Sequence, residues 1–292
     1  DIKAAATPFK FQRNLQPLRL SYEFDGETRT LENFLERTIG TSFLVIQNDT
    51  IIDERYLNGG SDTDRFTSWS AGKSFVATLV GMALDEGLIK NLDDPITTYL
   101  PTLKGSAYDG VPIKHVLQMG SAIQFDETYG NRFADINTFF AKVFLLGQRA
   151  ENVMASYPSK GPSGEKFDYV SMDTQALGML VRTVFNKSLS KLMEERLWQP
   201  LGMEAQANWQ QHRDDADGVA LGYCCLNARL RDYARFGKFY LEAYSSKGLG
   251  AELLPEDWAN KMTEPATNAH APSGKDSKGK PYSGRGYSQH FW

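Results

Sequence analysis

The segment Trp69-Ser70-Ala71-Gly72-Lys73-Ser74-Phe75 leads into the longest apolar run in the chain, Phe75 to Leu84, broken only by Thr78 and Gly81. A helix that is apolar all round belongs in a domain core. The fold must therefore be built around this segment, and a lysine in its first turn is carried inward with it. Ser70 and Lys73 stand three residues apart, on one helix face, so the amine sits beside the hydroxyl. The N-terminus of a helix also carries the positive end of its macrodipole, which favours negative charge developing there. A weak nucleophile, a base within reach and a field that tolerates an oxyanion are what an activated nucleophile requires. Burial disfavours the ammonium form and lowers the lysine pKa, as a base working near neutrality needs.

Spacing alone does not single out this pair. Ser-x-x-Lys occurs four times, at Ser70/Lys73, Ser163/Lys166, Ser188/Lys191 and Ser277/Lys280. Ser163 and Ser277 lie among Gly, Pro, Lys and Ser, the composition of loops. Ser188 reads as a helix cap with Leu189, Leu192 and Leu197 forming an amphipathic face behind it. Only Ser70 leads into a core helix.

Composition sets broad bounds. The 292 residues suffice for one large domain or two modest ones. A net charge of −4 gives no sign of a nucleic-acid or membrane-surface partner. The apolar run falls far short of the roughly 20 residues of a spanning helix. The chain begins at Asp1 rather than Met, as after removal of a leader or trimming, and its first residues show no signal-peptide core. The two cysteines, Cys224 and Cys225, are adjacent; they read as strand positions on opposite faces rather than as a redox or zinc site. The expected location is periplasmic or secreted.

Along the chain, Ser42–Ile46, the turn Asn48-Asp49 and Ile51–Leu57 read as a β-hairpin. The Ser70 helix stops near Gly87, and Asp94-Pro95 reads as an N-cap and first residue of a short helix. Helices are expected over Ile113–Met119, Ile136–Leu146, Asp173–Phe185, Ser188–Leu197 and Asn227–Tyr244, and a loop over Glu264–Gly286. Strands at both ends around a helical middle predict an α/β domain from residues 1–90 and 221–292, with a helical domain, residues 91–220, inserted.

The chain resembles the serine β-lactamase and penicillin-binding-protein superfamily, in its class C-like branch with family VIII carboxylesterases and nylon-oligomer hydrolases. The matching text includes Thr67–Phe75, Gly81, Asp85–Ile89, Leu92–Pro95, Tyr99–Pro101, Tyr169-Val170-Ser171, Pro200–Met203 and Arg231–Gly237, in order from about residue 40 to 260. The resemblance implies an antiparallel sheet flanked by helices with an inserted helical domain. It also implies catalysis by Ser70 and Lys73, the first motif. The second motif, Tyr-x-Asn, maps onto Tyr169-Val170-Ser171, with serine in place of asparagine, which by analogy leans toward esters or linear amides. Beside a lysine, the Tyr169 phenol is expected to have a lowered pKa and to shuttle a proton to the leaving group. The competing reading makes Tyr169 a buried aromatic at a helix entry. Ser171, Glu127 and Tyr129 are expected substrate contacts, with a plain surface loop as the alternative for Glu127 and Tyr129. The third motif, which supplies one oxyanion-hole amide, is not found. It and the last strands of the sheet are expected beyond residue 292 or from a second chain.

Other chemistries fit less well. A P-loop needs glycine where Thr67 stands. No serine is flanked as in a Gly-x-Ser-x-Gly elbow. His115, His212, His270 and His290 are scattered, so no metal and no cofactor are expected, and they read as surface or capping residues, with His290 worth checking against the missing motif. The expectation is a serine hydrolase acting through an acyl-enzyme on a small-molecule ester or amide, β-lactams included. A non-catalytic binding module of the same fold is the alternative.

Overall fold

Helix α2 (Gly72–Asp85) runs through the centre of the protein, with Lys73 and every residue from Phe75 to Ala83 buried. The computed structural model describes residues 1–213, 218–263 and 287–291. Around α2, the described residues form three small sheets and a series of helices.

The N-terminal part begins with β1 (Gln12–Arg13), the hairpin β2 (Ser21–Phe24) and β3 (Glu27–Thr30), and α1 (Leu31–Arg37), capped by Thr30 Oγ1 accepting from Asn33 N. Strands β4 (Ser42–Gln47) and β5 (Thr50–Tyr56) form the expected hairpin. Its turn residues Asn48 and Asp49 have φ of +49° and +60°, which suits a tight two-residue turn between right-twisted strands. β1 adds to β5 in parallel, so this sheet is mixed rather than purely antiparallel. Strand β6 (Phe66–Thr67) then leads by a 3₁₀ turn into α2.

The middle of the chain is helical: α3 (Ile113–Leu117), α4 (Asp135–Phe140), α5 (Ala150–Ala155), α6 (Ser171–Phe185) and α7 (Leu189–Leu192). Ser188 caps α7 through its hydroxyl, as its sequence context predicts. The helix expected over Ile136–Leu146 is α4 followed by a wide π-type turn, Ala141–Leu145. Asp94 does not open a helix; it accepts the Tyr99 hydroxyl at 2.6 Å, and Pro95 precedes a short 3₁₀ turn. Helix α6 packs against α2, which brings the start of each to the same place.

The chain then returns as β7 (Asn208–Trp209), β8 (Leu226–Ala228), α8 (Leu230–Tyr244), α9 (Gly248–Leu253) and α10 (Trp258–Thr263). The helix expected from Asn227 starts three residues later, because Leu226–Ala228 is the central strand between β6 and β7. Phe236 of α8 stacks on Phe75 of α2 with ring centroids 3.7 Å apart. The expected loop Glu264–Gly286 lies outside the described residues.

Candidate active site

The 3₁₀ turn Trp69–Ala71 delivers Ser70 to the head of α2. Trp69 has φ +44° and is 73% exposed. A left-handed backbone is unusual for a bulky residue and persists only when the surroundings hold it. Here Ser68 N donates to Leu226 O at 2.7 Å, tying the turn to β8. The turn lets Ser70 face a cavity while the next residues enter the core.

Lys73 is 2% exposed, and its amine lies within hydrogen-bond distance of three oxygens: Ser70 Oγ at 3.3 Å, Ser171 Oγ at 3.2 Å and the Tyr223 carbonyl at 2.8 Å. Burial pulls its pKa down to about 7, against a smaller upward pull from Glu127. The amine also lies 5.0 Å from the Tyr169 ring centre and 5.6 Å from that of Tyr223.

The Tyr223 carbonyl is placed by tight backbone packing. A Cβ on Gly222 would lie 3.1 Å from Thr174 O of α6, so the loop runs directly on that helix. Gln175 fastens it, accepting from Gly222 N at 3.0 Å and donating to Ala220 O at 3.1 Å. Trp209 Nε1 spans Leu221 O and Cys224 O, both at 2.7 Å.

Tyr169 stands just before α6 and shares a hydrogen bond with Ser70. Its pKa is pushed up to about 12, because burial outweighs the Ser70 bond, and Glu127 adds to the rise. This reverses the lowered phenol pKa expected from a neighbouring lysine. The burial of the phenol itself carries the reversal.

Ser171, the first residue of α6, is buried and bonded twice to Glu127: its amide donates to Oε2 at 3.0 Å and its hydroxyl donates to Oε1. Tyr129 donates to the same Oε1 at 2.8 Å and its ring is 63% exposed. Ser70, Lys73, Tyr129, Ser171 and Tyr223 thus line one cavity of about 710 Å³, walled also by Trp69, Ile136, Phe140 and Leu221. Glu127 reaches the cluster through Ser171 and Tyr129.

The cysteines correct the sequence reading. Cys224 and Cys225 are joined in a disulfide that forms part of the cavity wall. Cys225 has φ +72°, so the backbone turns there and the alternation of a strand begins only at Leu226. His290 is another correction: it is buried, not a surface residue. Nδ1 donates to Leu117 O at 2.8 Å, which leaves Nε2 to accept the Thr174 hydroxyl at 2.9 Å. Burial drives its pKa down to about 3, so it is neutral and structural. His115 bonds Ser163 and His212 accepts from Val219 N, while His270 lies outside the described residues. Among the described residues no cluster of His, Cys, Asp or Glu is arranged to hold a metal.

Sequence reasoning missed the Tyr223 carbonyl, since a backbone acceptor leaves no residue-type signal. It also missed Trp69 as a rim residue and the bond from Ser171 to Glu127. The last joins residues 44 apart in sequence, and only the fold brings them together.

A buried central helix with a serine and a lysine at its head, and a tyrosine at the entry to a second helix packed against it, match a fold of the β-lactamase and penicillin-binding-protein type. A family profile described as Beta-lactamase matches residues 28–289, and the chain belongs to that family. It is similar to the 6-aminohexanoate-dimer hydrolase of Paenarthrobacter ureafaciens, 28% identical over 238 residues, 80% of this chain and 59% of that protein. It is also similar to Protein flp of Staphylococcus aureus (strain MRSA252), 24% identical over 200 residues, 63% of this chain and 37% of that one. The chain therefore spans less than two thirds of either relative. A solved structure described as a candidate 6-aminohexanoate-dimer hydrolase from Bacillus anthracis superimposes with a TM-score of 0.79 at 22% identity, covering 99% of this chain and 75% of its own. The octameric penicillin-binding protein homologue from Pyrococcus abyssi does so with 0.66 at 16% identity, covering 89% and 63%. These structural likenesses carry the fold.

Proposed function

We propose that this chain is a serine hydrolase that cleaves small-molecule esters or amides through an acyl-enzyme on Ser70. The observation that carries the reading is Lys73: a buried amine, drawn toward neutrality, 3.3 Å from the Ser70 hydroxyl. Neutral Lys73 takes the Ser70 proton as Oγ attacks the substrate carbonyl, and the Ser70 backbone N–H stabilises the oxyanion. Tyr169, protonated and bonded to Ser70, passes a proton to the leaving oxygen or nitrogen and recovers one from the Lys73 ammonium. Water then attacks the acyl carbonyl and releases the acid.

The cavity wall of Trp69, Ile136, Phe140 and Leu221 suits an apolar acyl group or leaving group. The name of the Paenarthrobacter relative supports linear amides among the substrates. β-Lactams remain in the panel through the family. A non-catalytic binding module has no evident need for a buried lysine shared between two serine hydroxyls. A periplasmic or secreted location is part of the proposal, supported by the Cys224–Cys225 disulfide, since such bonds persist in oxidising compartments. A second chain supplying further strands is tested by light scattering of the purified protein.

The test is hydrolysis of p-nitrophenyl esters of increasing acyl length, beside linear amides and a chromogenic β-lactam. A stoichiometric burst of p-nitrophenol, absent in Ser70→Ala, is the expected result. Turnover that survives Ser70→Ala would overturn the reading.

A further inference from the structure

Lys73 and Ser171 each sit between hydrogen-bond partners whose roles can be counted. An ionised carboxylate offers only acceptors. The Ser171 hydroxyl hydrogen therefore points to Glu127 Oε1, leaving the Ser171 oxygen to accept from Lys73 at 3.2 Å. A carbonyl likewise only accepts, so Tyr223 O takes a second Lys73 hydrogen at 2.8 Å. A neutral amine has two hydrogens and one lone pair. With both hydrogens assigned, the lone pair is left for the remaining neighbour, Ser70.

We propose that Glu127 is the positioning residue of the site: by holding the Ser171 hydroxyl in one orientation, it sets the direction of the chain Ser70–Lys73–Ser171–Glu127 and aims the Lys73 lone pair at Ser70. Without that acceptor the Ser171 hydroxyl is free to turn and donate to Lys73. The amine lone pair is then occupied, and an amine hydrogen faces Ser70 instead. The chain would run backwards, and Lys73 would donate to the nucleophile rather than accept from it. Glu127 thus acts through Ser171 and need not touch substrate. The second Ser171 bond, N to Glu127 Oε2, and the Tyr129 hydroxyl on Oε1 hold the carboxylate in place. This inference rests on Ser70 being the nucleophile and Lys73 its base.

The role has a charge signature as well. Facing the Lys73 amine are the Tyr169 and Tyr223 rings, and Glu127 lies across Ser171. His290, neutral, and Asp173, bonded to Tyr108 and raised to about 7 by burial, are the other titratable groups packed nearby on α6 and beside it. Glu127 is the anion that acts on Lys73, and it raises the lysine pKa. Removing its charge moves the pKa further down.

The experiment measures the rate of Ser70 labelling by a fluorophosphonate against pH, in the wild type, Glu127→Met, Ser171→Ala and the double variant, with thermal melts to confirm folding. Methionine removes both the charge and the acceptor, whereas glutamine would keep an acceptor oxygen. Glu127→Met is expected to lower the high-pH plateau about tenfold or more while its acid limb moves down by about one pH unit. Because Glu127 acts through Ser171, adding Glu127→Met to Ser171→Ala is expected to leave the plateau unchanged. An Asp173→Asn background keeps the Glu127 shift, which separates it from titration of Asp173. Additive plateau losses, or an acid limb that does not move, would overturn the proposal while leaving the serine hydrolase reading intact. A folded wild type that does not label would remove both. If Glu127→Met does not fold, Ser171→Ala and Glu127→Asp decide. Restoration of the wild-type limb by Asp, with a plateau above that of Ser171→Ala, supports the role, and a plateau no better than Ser171→Ala opposes it.

Discussion

The carbonyl oxygen of Tyr223 accepts a hydrogen bond from Lys73 Nζ at 2.8 Å, joining the first turn of the central helix to a loop 150 residues further along the chain. This bond is the shortest that the Lys73 amine makes, and it ties the orientation of the amine to the position of a loop backbone.

Gly222→Ala tests that tie. The added Cβ would meet Thr174 O at 3.1 Å, tighter than ordinary contact, so the loop must move off α6. Overpacking of this kind destabilises by about 1–3 kcal/mol. Labelling of Ser70 should fall by about tenfold or more, since small misplacements of a catalytic group are amplified in rate. A urea titration beside a labelling time course separates the two effects.

Reactivity at Ser70 should rise with pH through about 7, where Lys73 loses its proton. The sign follows from the role proposed for it: only a neutral amine can accept the Ser70 proton. Lys73→Ala should lower the rate by about 10²–10⁴-fold, the usual range for a lost general base, and flatten this limb. The rate of fluorophosphonate labelling between pH 5 and 9 measures both.

The same burial has a stability signature. The folded-state pKa of Lys73, about 7, lies below its ordinary value of 10.5. Between those values the unfolded chain binds more protons than the folded one, so stability rises with pH across that window. The Lys73→Met variant lacks this contribution. Relative to it, the wild type should gain about 1 kcal/mol per pH unit between pH 7 and 10, an upper slope set by one titrating group. Urea melts of both proteins at pH 7 and 9.5 check the sign.

Much of this site is legible in the sequence because its logic is local. The i, i+3 spacing of Ser70 and Lys73 and the apolar run behind them fix both the helix face and its burial, and the structure has both. The Asn48-Asp49 turn and the Ser188 cap were equally readable, being short-range chemistry. What sequence could not supply is long-range. Glu127 reads as a substrate contact or a plain loop residue, and only the fold brings it to Ser171, while the Tyr223 carbonyl belongs to the backbone rather than to any residue type. Cys224 and Cys225 were misread because alternation was assumed, whereas Cys225 takes a left-handed conformation that ends it. The phenol of Tyr169 departs from the expected direction because its own burial, which sequence does not reveal, penalises the phenolate.

Away from the site, Asp232 and Arg235 form a buried pair at 3.1 Å, 0% and 2% exposed in their side chains. Asp232 also accepts from Glu204 N at 2.7 Å, and Arg235 reaches Glu204 and Phe9 O. Asp232→Ala leaves Arg235 paired with Glu204 but takes the acceptor from Glu204 N and Ala205 N, so it should destabilise by about 1–3 kcal/mol. The midpoint of chemical denaturation reads this directly.

The most direct test of the central claim is the intact mass of the protein after exposure to a fluorophosphonate, with Ser70→Ala alongside. A single stoichiometric adduct that maps to Ser70, forms faster above pH 7 and is lost in the variant is the predicted result. A folded protein that gains no adduct, or one that labels equally without Ser70, would contradict the account.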